Sequence, residues 1–211
     1  LPDVKIPVDH PDATNPLLRA AARALTRRGA TVVIDAAGDN LVRRQDGDAG
    51  VVVCAQGLPN LLHELVHVVL AGVLDDDHGI DYGAIPFDLA TREGRQVLWE
   101  ELSCCVLSCA YVARRQPGET AAAAEARVDA WFREQVDIQP VFYGMEDDPA
   151  AFWVRVDRCR RAYAPEVDAT LGRAYRDVKE ALREGGAAGD LAVPPEVLSL
   201  ETLWSRTAGA A

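Results

Sequence analysis

Lysine is almost missing from this sequence: Lys5 and Lys179 are the only two in 211 residues. Arginine supplies the other cationic charge, and 22 basic residues face 33 acidic ones, for a net charge of −11. A surface with that balance repels phosphate backbones and anionic lipid, so neither nucleic acid nor a membrane is expected as a partner. Long apolar runs are lacking too. The longest, over residues 58–72, is too short to span a bilayer and carries two histidines and a glutamate. No secretory leader pattern is visible. Cysteine is present but in an odd number, five, with Cys104, Cys105 and Cys109 on one expected helix. That excludes a disulfide framework and points to a reducing, cytoplasmic setting. There is no internal repeat and no low-complexity linker. With 49% hydrophobic residues the chain can bury a sizeable core, and disorder is not expected.

Histidine is scarce as well, at four residues, yet half of it sits together. The segment His63-Glu64-Leu65-Val66-His67 is an HExxH motif. Residues four apart on an α-helix project from the same face, so two imidazoles can grip one ion. The glutamate after the first histidine can then reach a water on that ion. Pro59 suits the first turn of such a helix and Gly72 its C-terminal stop. Leu61, Leu62, Leu65, Val66, Val68, Val69 and Leu70 make it apolar almost all round, hence buried. Two histidines and a glutamate in a buried helix are costly without partners, and a metal ion supplies a partner to both rings at once.

The remaining pattern predicts a mainly α (α+β) chain: helices with a small β-sheet packed beside the HExxH helix. Residues 1–211 read as a single domain. The metal-site core covers 14–115, and the C-terminal helical part covers 119–205. Asn15 and Pro16 open a first helix that runs to about Arg28. Thr31–Ile34 and Val51–Ala55 read as strands. A second buried helix is expected from about Thr91 to Arg115. Further helices are expected near 119–137, 149–163, 166–184 and 195–205, with prolines at or near their starts. Cys104, Cys105 and Cys109 read as small apolar core residues, since zinc-binding cysteines come mainly in CxxC-type pairs.

A catalytic zinc usually takes three protein ligands and keeps a fourth position for water. The residue six after His67 is Val73, so a third histidine at that spacing is absent. One candidate is a glutamate on the next buried helix. Glu101 falls beside the stripe Leu98, Leu102, Cys105 and Cys109, whereas Glu100 points about 100° away. Glu101 is therefore preferred, and a slip of one residue in register would exchange it for Glu100. The other candidate is His78, in the acidic loop after the motif helix. His78 and Tyr82 are also candidates to donate a hydrogen bond to an oxyanion. Asp75 to Asp77 read as a solvated acidic turn, and His10 receives no role.

On these residues the chain resembles the gluzincin metallopeptidases, and within them the minimal gluzincins of the ImmA/IrrE type. The resemblance covers about residues 14–115: a helix, short strands, the HELVH helix, and a later helix carrying Glu101. It implies that His63, His67 and Glu101 bind zinc (Zn2+) and that Glu64 is the general base. Two positions depart from the pattern. Cys105 stands where thermolysin-like enzymes often have an aspartate that orients a histidine, and Val66 stands where the ImmA/IrrE motif prefers glycine.

The leading expectation is a zinc-dependent hydrolase acting on a peptide or small-molecule amide. Two histidines and a carboxylate also suit non-haem iron (Fe2+), as in an oxygenase or another tailoring enzyme. There Arg92 and Arg95 are candidates to receive a co-substrate carboxylate. A non-catalytic helical binding protein is the third reading.

Overall fold

The computed structural model of the chain describes residues 3–44, 50–72, 88–196 and 198–207. Helix α1 (Pro16–Arg27) starts where Asn15 accepts a hydrogen bond from the Leu17 N–H at 3.0 Å, with Pro16 in the first turn. Its Leu17, Leu18, Ala21 and Leu25 are buried. Gly29, at φ 99°, turns the chain sharply into a strand. Four strands form one sheet: β1 (Val4–Lys5), β2 (Ala30–Ile34), β3 (Leu41–Arg44) and β4 (Val51–Ala55), in the order β1-β2-β4-β3. β2 lies parallel to β1 and β4, and β3 runs antiparallel to β4. The central pair matches Ala30 with Val51 through to Ile34 with Ala55. β1 and β3 are edge strands that the sequence does not announce. One is two residues long, and the other ends in Arg43 and Arg44 without a clear alternation.

β4 leads into α2 (Leu58–Ala71), the HExxH helix. Its N-cap is Gly57, which has no side chain to offer. The N-terminal segment does that job instead. Asp12 accepts a hydrogen bond from the Leu58 N–H at 3.0 Å. Buried His10 holds Asp12 in place: its Nδ1 accepts from the Asp12 N–H at 3.0 Å, and its Nε2 lies 2.9 Å from the Gln56 carbonyl. The two bonds together require Nε2–H to donate and Nδ1 to carry the lone pair. His10 thus acts in the fold, fixing the start of the motif helix. At the other end Gly72, at φ 70°, closes α2.

Helix α3 (Arg92–Val112) begins at Thr91, whose hydroxyl accepts from the Gly94 N–H. A side chain at position 94 would meet the Asp88 carbonyl oxygen at 2.2 Å, so glycine is required there. Helices α4 (Ala121–Phe142), α5 (Pro149–Ala162), α6 (Ala164–Glu184) and α7 (Leu200–Thr207) follow, with a short 3-10 turn at Gly189–Ala192. Two boundaries differ from the sequence expectation. α4 runs on past residue 137 and through the buried Pro140, which keeps Gln139 on a helix. α7 begins at Leu200 rather than near 195, because Ser199 is the residue whose hydroxyl accepts from a first-turn N–H, that of Thr202.

The chain is mainly helical with a small mixed sheet, and α2 sits at its centre, packed on α1, α3, α6 and strand β4. One cluster of buried side chains runs from Leu17 to Trp204. Among the described residues, no helix is long and apolar enough to cross a membrane.

Candidate metal centre

The i,i+4 spacing on α2 turns both imidazoles to one side, where α3 packs. Nε2 of His63 and Nε2 of His67 lie 3.0 Å apart. Glu101 comes in from α3, with one carboxylate oxygen 3.4 Å from His63 Nε2 and the other 3.1 Å from His67 Nε2. Tetrahedral zinc with bonds of about 2.0–2.2 Å separates its ligand atoms by about 3.3–3.6 Å. The three donors therefore stand close to the spacing that an ion needs, and a small opening would admit it. Glu100 is turned elsewhere: it accepts from Gln96 at 2.8 Å and from Arg173 of α6 at 2.9 Å.

Two cysteines join the group. Cys104 offers its sulfur within 4.8 Å of both imidazoles, and Cys105 does so towards His63 and Glu101. The sequence reads both as packing residues first, with a soft-metal or redox role as the lesser alternative. Both are fully buried, as packing requires, but their thiols also lie among ligand-type atoms. For Cys104 a signal was available, since it follows Glu101 by three residues and so shares its face. Gln139 of α4 is the other residue that the sequence does not single out. It is buried and donates a hydrogen bond to Glu101 at 2.9 Å. Its signal is a polar residue standing in line with buried Phe132 and Val136.

The electrostatics follow from this crowding. Burial opposes the charge on Glu101, but His67 and His63 beside it outweigh burial and hold its carboxyl well below the usual carboxylate range. Burial also opposes the charged form of His67, yet Cys104 and Glu101 together raise it well above an ordinary imidazole. Burial pushes the Cys104 thiol up to about 11, against the pull of His67, so it is uncharged near neutral pH. Nδ1 of His63 is buried and has no hydrogen-bond partner among the described residues. Cys105 nearby offers no carboxylate to orient that ring, unlike the aspartate of thermolysin-like enzymes. His67 keeps 39% of its side chain open to solvent against 12% for His63, which marks the side from which a ligand can arrive.

Glu64, next to His63, is half-buried, and its charge reaches Cys104. His78 and Tyr82 lie outside the described residues. Arg95 is not free to bind a co-substrate carboxylate. It is buried, forks onto both carboxylate oxygens of Glu166 at 2.8 and 2.9 Å, and donates to the Leu89 and Ala90 carbonyls. Arg92 is exposed, and its charge is felt at that same Glu166.

Comparison with family models, with curated proteins and with solved structures found no match to this chain. A possible metal-binding group built on His63 and His67 therefore stands on motif and geometry alone.

Proposed function

We propose that this chain is a zinc-dependent hydrolase of peptide or amide bonds, with His63, His67 and Glu101 as ligands and Glu64 as general base. The observation that carries this reading is the convergence of two imidazole Nε2 atoms and one carboxylate within 3.0–3.4 Å. A zinc ion held there supplies a Lewis acid and lowers the pKa of a coordinated water to about 7. The chain's own residues do the rest. Gln139 fixes one oxygen of Glu101, so that the carboxylate keeps its bearing towards both rings. Glu64 follows His63 directly and takes the proton of a water arriving from the open side of His67, then passes it to the leaving amine. The apolar walls of α2 and α3 keep bulk water out and strengthen each charge inside. As candidate oxyanion donors, His78 and Tyr82 belong to the same proposal.

The ligand set also suits Fe(II), but Arg95 is engaged with Glu166, and the nearby thiols favour zinc. The decisive assay is a panel of short peptides and amides with the purified, zinc-loaded chain. Glu64→Gln keeps the shape and removes the base. It should retain the metal and lose turnover by roughly 10²–10⁴-fold. Hydrolysis that survives intact in this variant would remove the mechanism. Turnover that needs Fe(II) and 2-oxoglutarate would replace it.

A further inference from the structure

We infer that Cys104 is a fourth protein ligand of the ion held by His63, His67 and Glu101, so that its thiolate and the reacting water compete for one coordination position. This rests on the metal reading above and gives that site a closed resting form. Cys104 follows Glu101 by three residues on α3, so both side chains leave the helix on one face. Its sulfur is grouped with the ring nitrogens of both His63 and His67.

The other buried thiols behave differently. Cys109 sets its sulfur 3.9 Å from the Val128 carbonyl, and Cys159 lies 4.0 Å from the Leu89 carbonyl. Those are packing positions beside backbone. Cys105 reaches His63 and Glu101 but is not grouped with His67, because adjacent residues leave a helix about 100° apart. Cys104 alone of the five is placed with both imidazoles of the motif.

The chemical consequence is specific. Binding the ion would release the Cys104 thiol proton to solvent, and the thiolate so formed would shift the set towards thiophilic ions such as zinc, cadmium and cobalt, and away from Mg2+ or Mn2+. Four protein ligands also complete a tetrahedral shell, which is the mark of a closed zinc site rather than an open one. Cys104 is fully buried, whereas His67 is open to solvent. The thiol therefore closes the site from the inner wall. A thiolate bound there would leave the His67 side as the route for water.

Cobalt(II) is the probe, since a thiolate ligand gives it an intense near-ultraviolet charge-transfer absorption that nitrogen and oxygen ligands do not. The full chain loaded with Co2+ alone should show that absorption. Cys104→Ser should lose it while still binding cobalt, and Cys105→Ser should keep it. The wild-type spectrum decides even where a variant folds poorly. Cobalt bound through His63 and His67 without the absorption overturns the inference and leaves the metal reading standing. So does an absorption that is lost in Cys105→Ser and kept in Cys104→Ser. A wild-type chain that binds no cobalt or zinc at all overturns the metal reading itself, and this inference with it.

Discussion

Helix α3 carries two buried polar clusters, about a turn and a half apart, and they are built on opposite logic. Near its start, Arg95 meets Glu166 of α6. The guanidinium forks onto both carboxylate oxygens, the Trp99 indole donates at 3.3 Å, and two backbone carbonyls take another Arg95 N–H group. The Tyr163 ring lies 3.8 Å from the guanidinium carbon. Each charge there has its opposite within the chain. The Glu101 cluster, farther along the helix, has two imidazoles, a carboxylate and thiols, but no permanent cation of its own. Among the described residues its carboxylate is met by imidazoles rather than by an arginine or lysine, and His63 Nδ1 has no hydrogen-bond partner. A cluster complete in itself is built for stability. One with an excess of lone pairs suits a cation, which is what the proposed metal reading requires.

The largest expected difference is in metal content. The purified chain should hold about one equivalent of transition metal, as a single site of this type does. His63→Ala and His67→Ala should each lose it, as measured by elemental analysis. Arg95→Met should keep the metal in full and instead lower the midpoint of thermal unfolding. If Arg95→Met loses metal while the histidine variants retain it, the roles of the two clusters have been exchanged.

Next in size are the two neighbouring glutamates. Glu101→Ala removes a carboxylate facing both rings, so zinc affinity should fall by more than the roughly 10–100-fold that an orienting partner contributes. Glu100→Ala removes a half-exposed partner of Arg173 and Gln96 and should leave zinc affinity unchanged. Gln139→Leu falls between them. It removes the hydrogen bond to Glu101 but no ligand, and should weaken zinc by about 10–100-fold. Titration against a competing chelator ranks all three. An effect of Glu100→Ala larger than that of Glu101→Ala would show that the carboxylate seen between the rings is not the one that binds.

The same comparison explains what could be read in advance. The fold class followed from long periodic segments: α1, α2 and α3 announce themselves through Asn15-Pro16, the Pro59-to-Gly72 run and Thr91. The strands β2 and β4 are apolar blocks. The His63/His67 pair was legible because its spacing matches the helical repeat. That Glu101 rather than Glu100 faces the imidazoles was legible as a preference, from the Leu98, Leu102 and Cys105 stripe. Partnerships across helices were not. No local pattern says that Gln139 of α4 reaches Glu101, or that Glu166 rather than a ligand occupies Arg95. Those depend on how α4 and α6 dock, and the helix through Pro140 breaks the ordinary rule for where a helix ends. The capping of α2 by His10 and Asp12 was hidden in the same way, since those residues lie 46 positions from their partners.

The smallest effect is expected in acid. Hydrogen bonds from Arg95, helped by Trp99 and by the guanidinium charge, lower Glu166 below its ordinary value of 4.5. A carboxyl depressed in the folded state adds stability that is present above its unfolded pKa and is lost as pH falls through the folded one. The Arg95 cluster should thus contribute in full above about pH 4.5 and fade below it. Thermal unfolding of the metal-free chain can be followed from pH 6 downward beside Glu166→Gln, whose amide cannot titrate. The gap between the two should be widest at pH 6 and narrow as the solution is acidified. Metal-free protein is needed, because acid also releases a bound ion from its ligands and would add a second acid-sensitive step. A gap that stays constant down to strong acid would mean that the Arg95–Glu166 contact is a surface pair with no hold on stability. The contrast between the self-sufficient cluster and the cation-accepting one would then lose its first half.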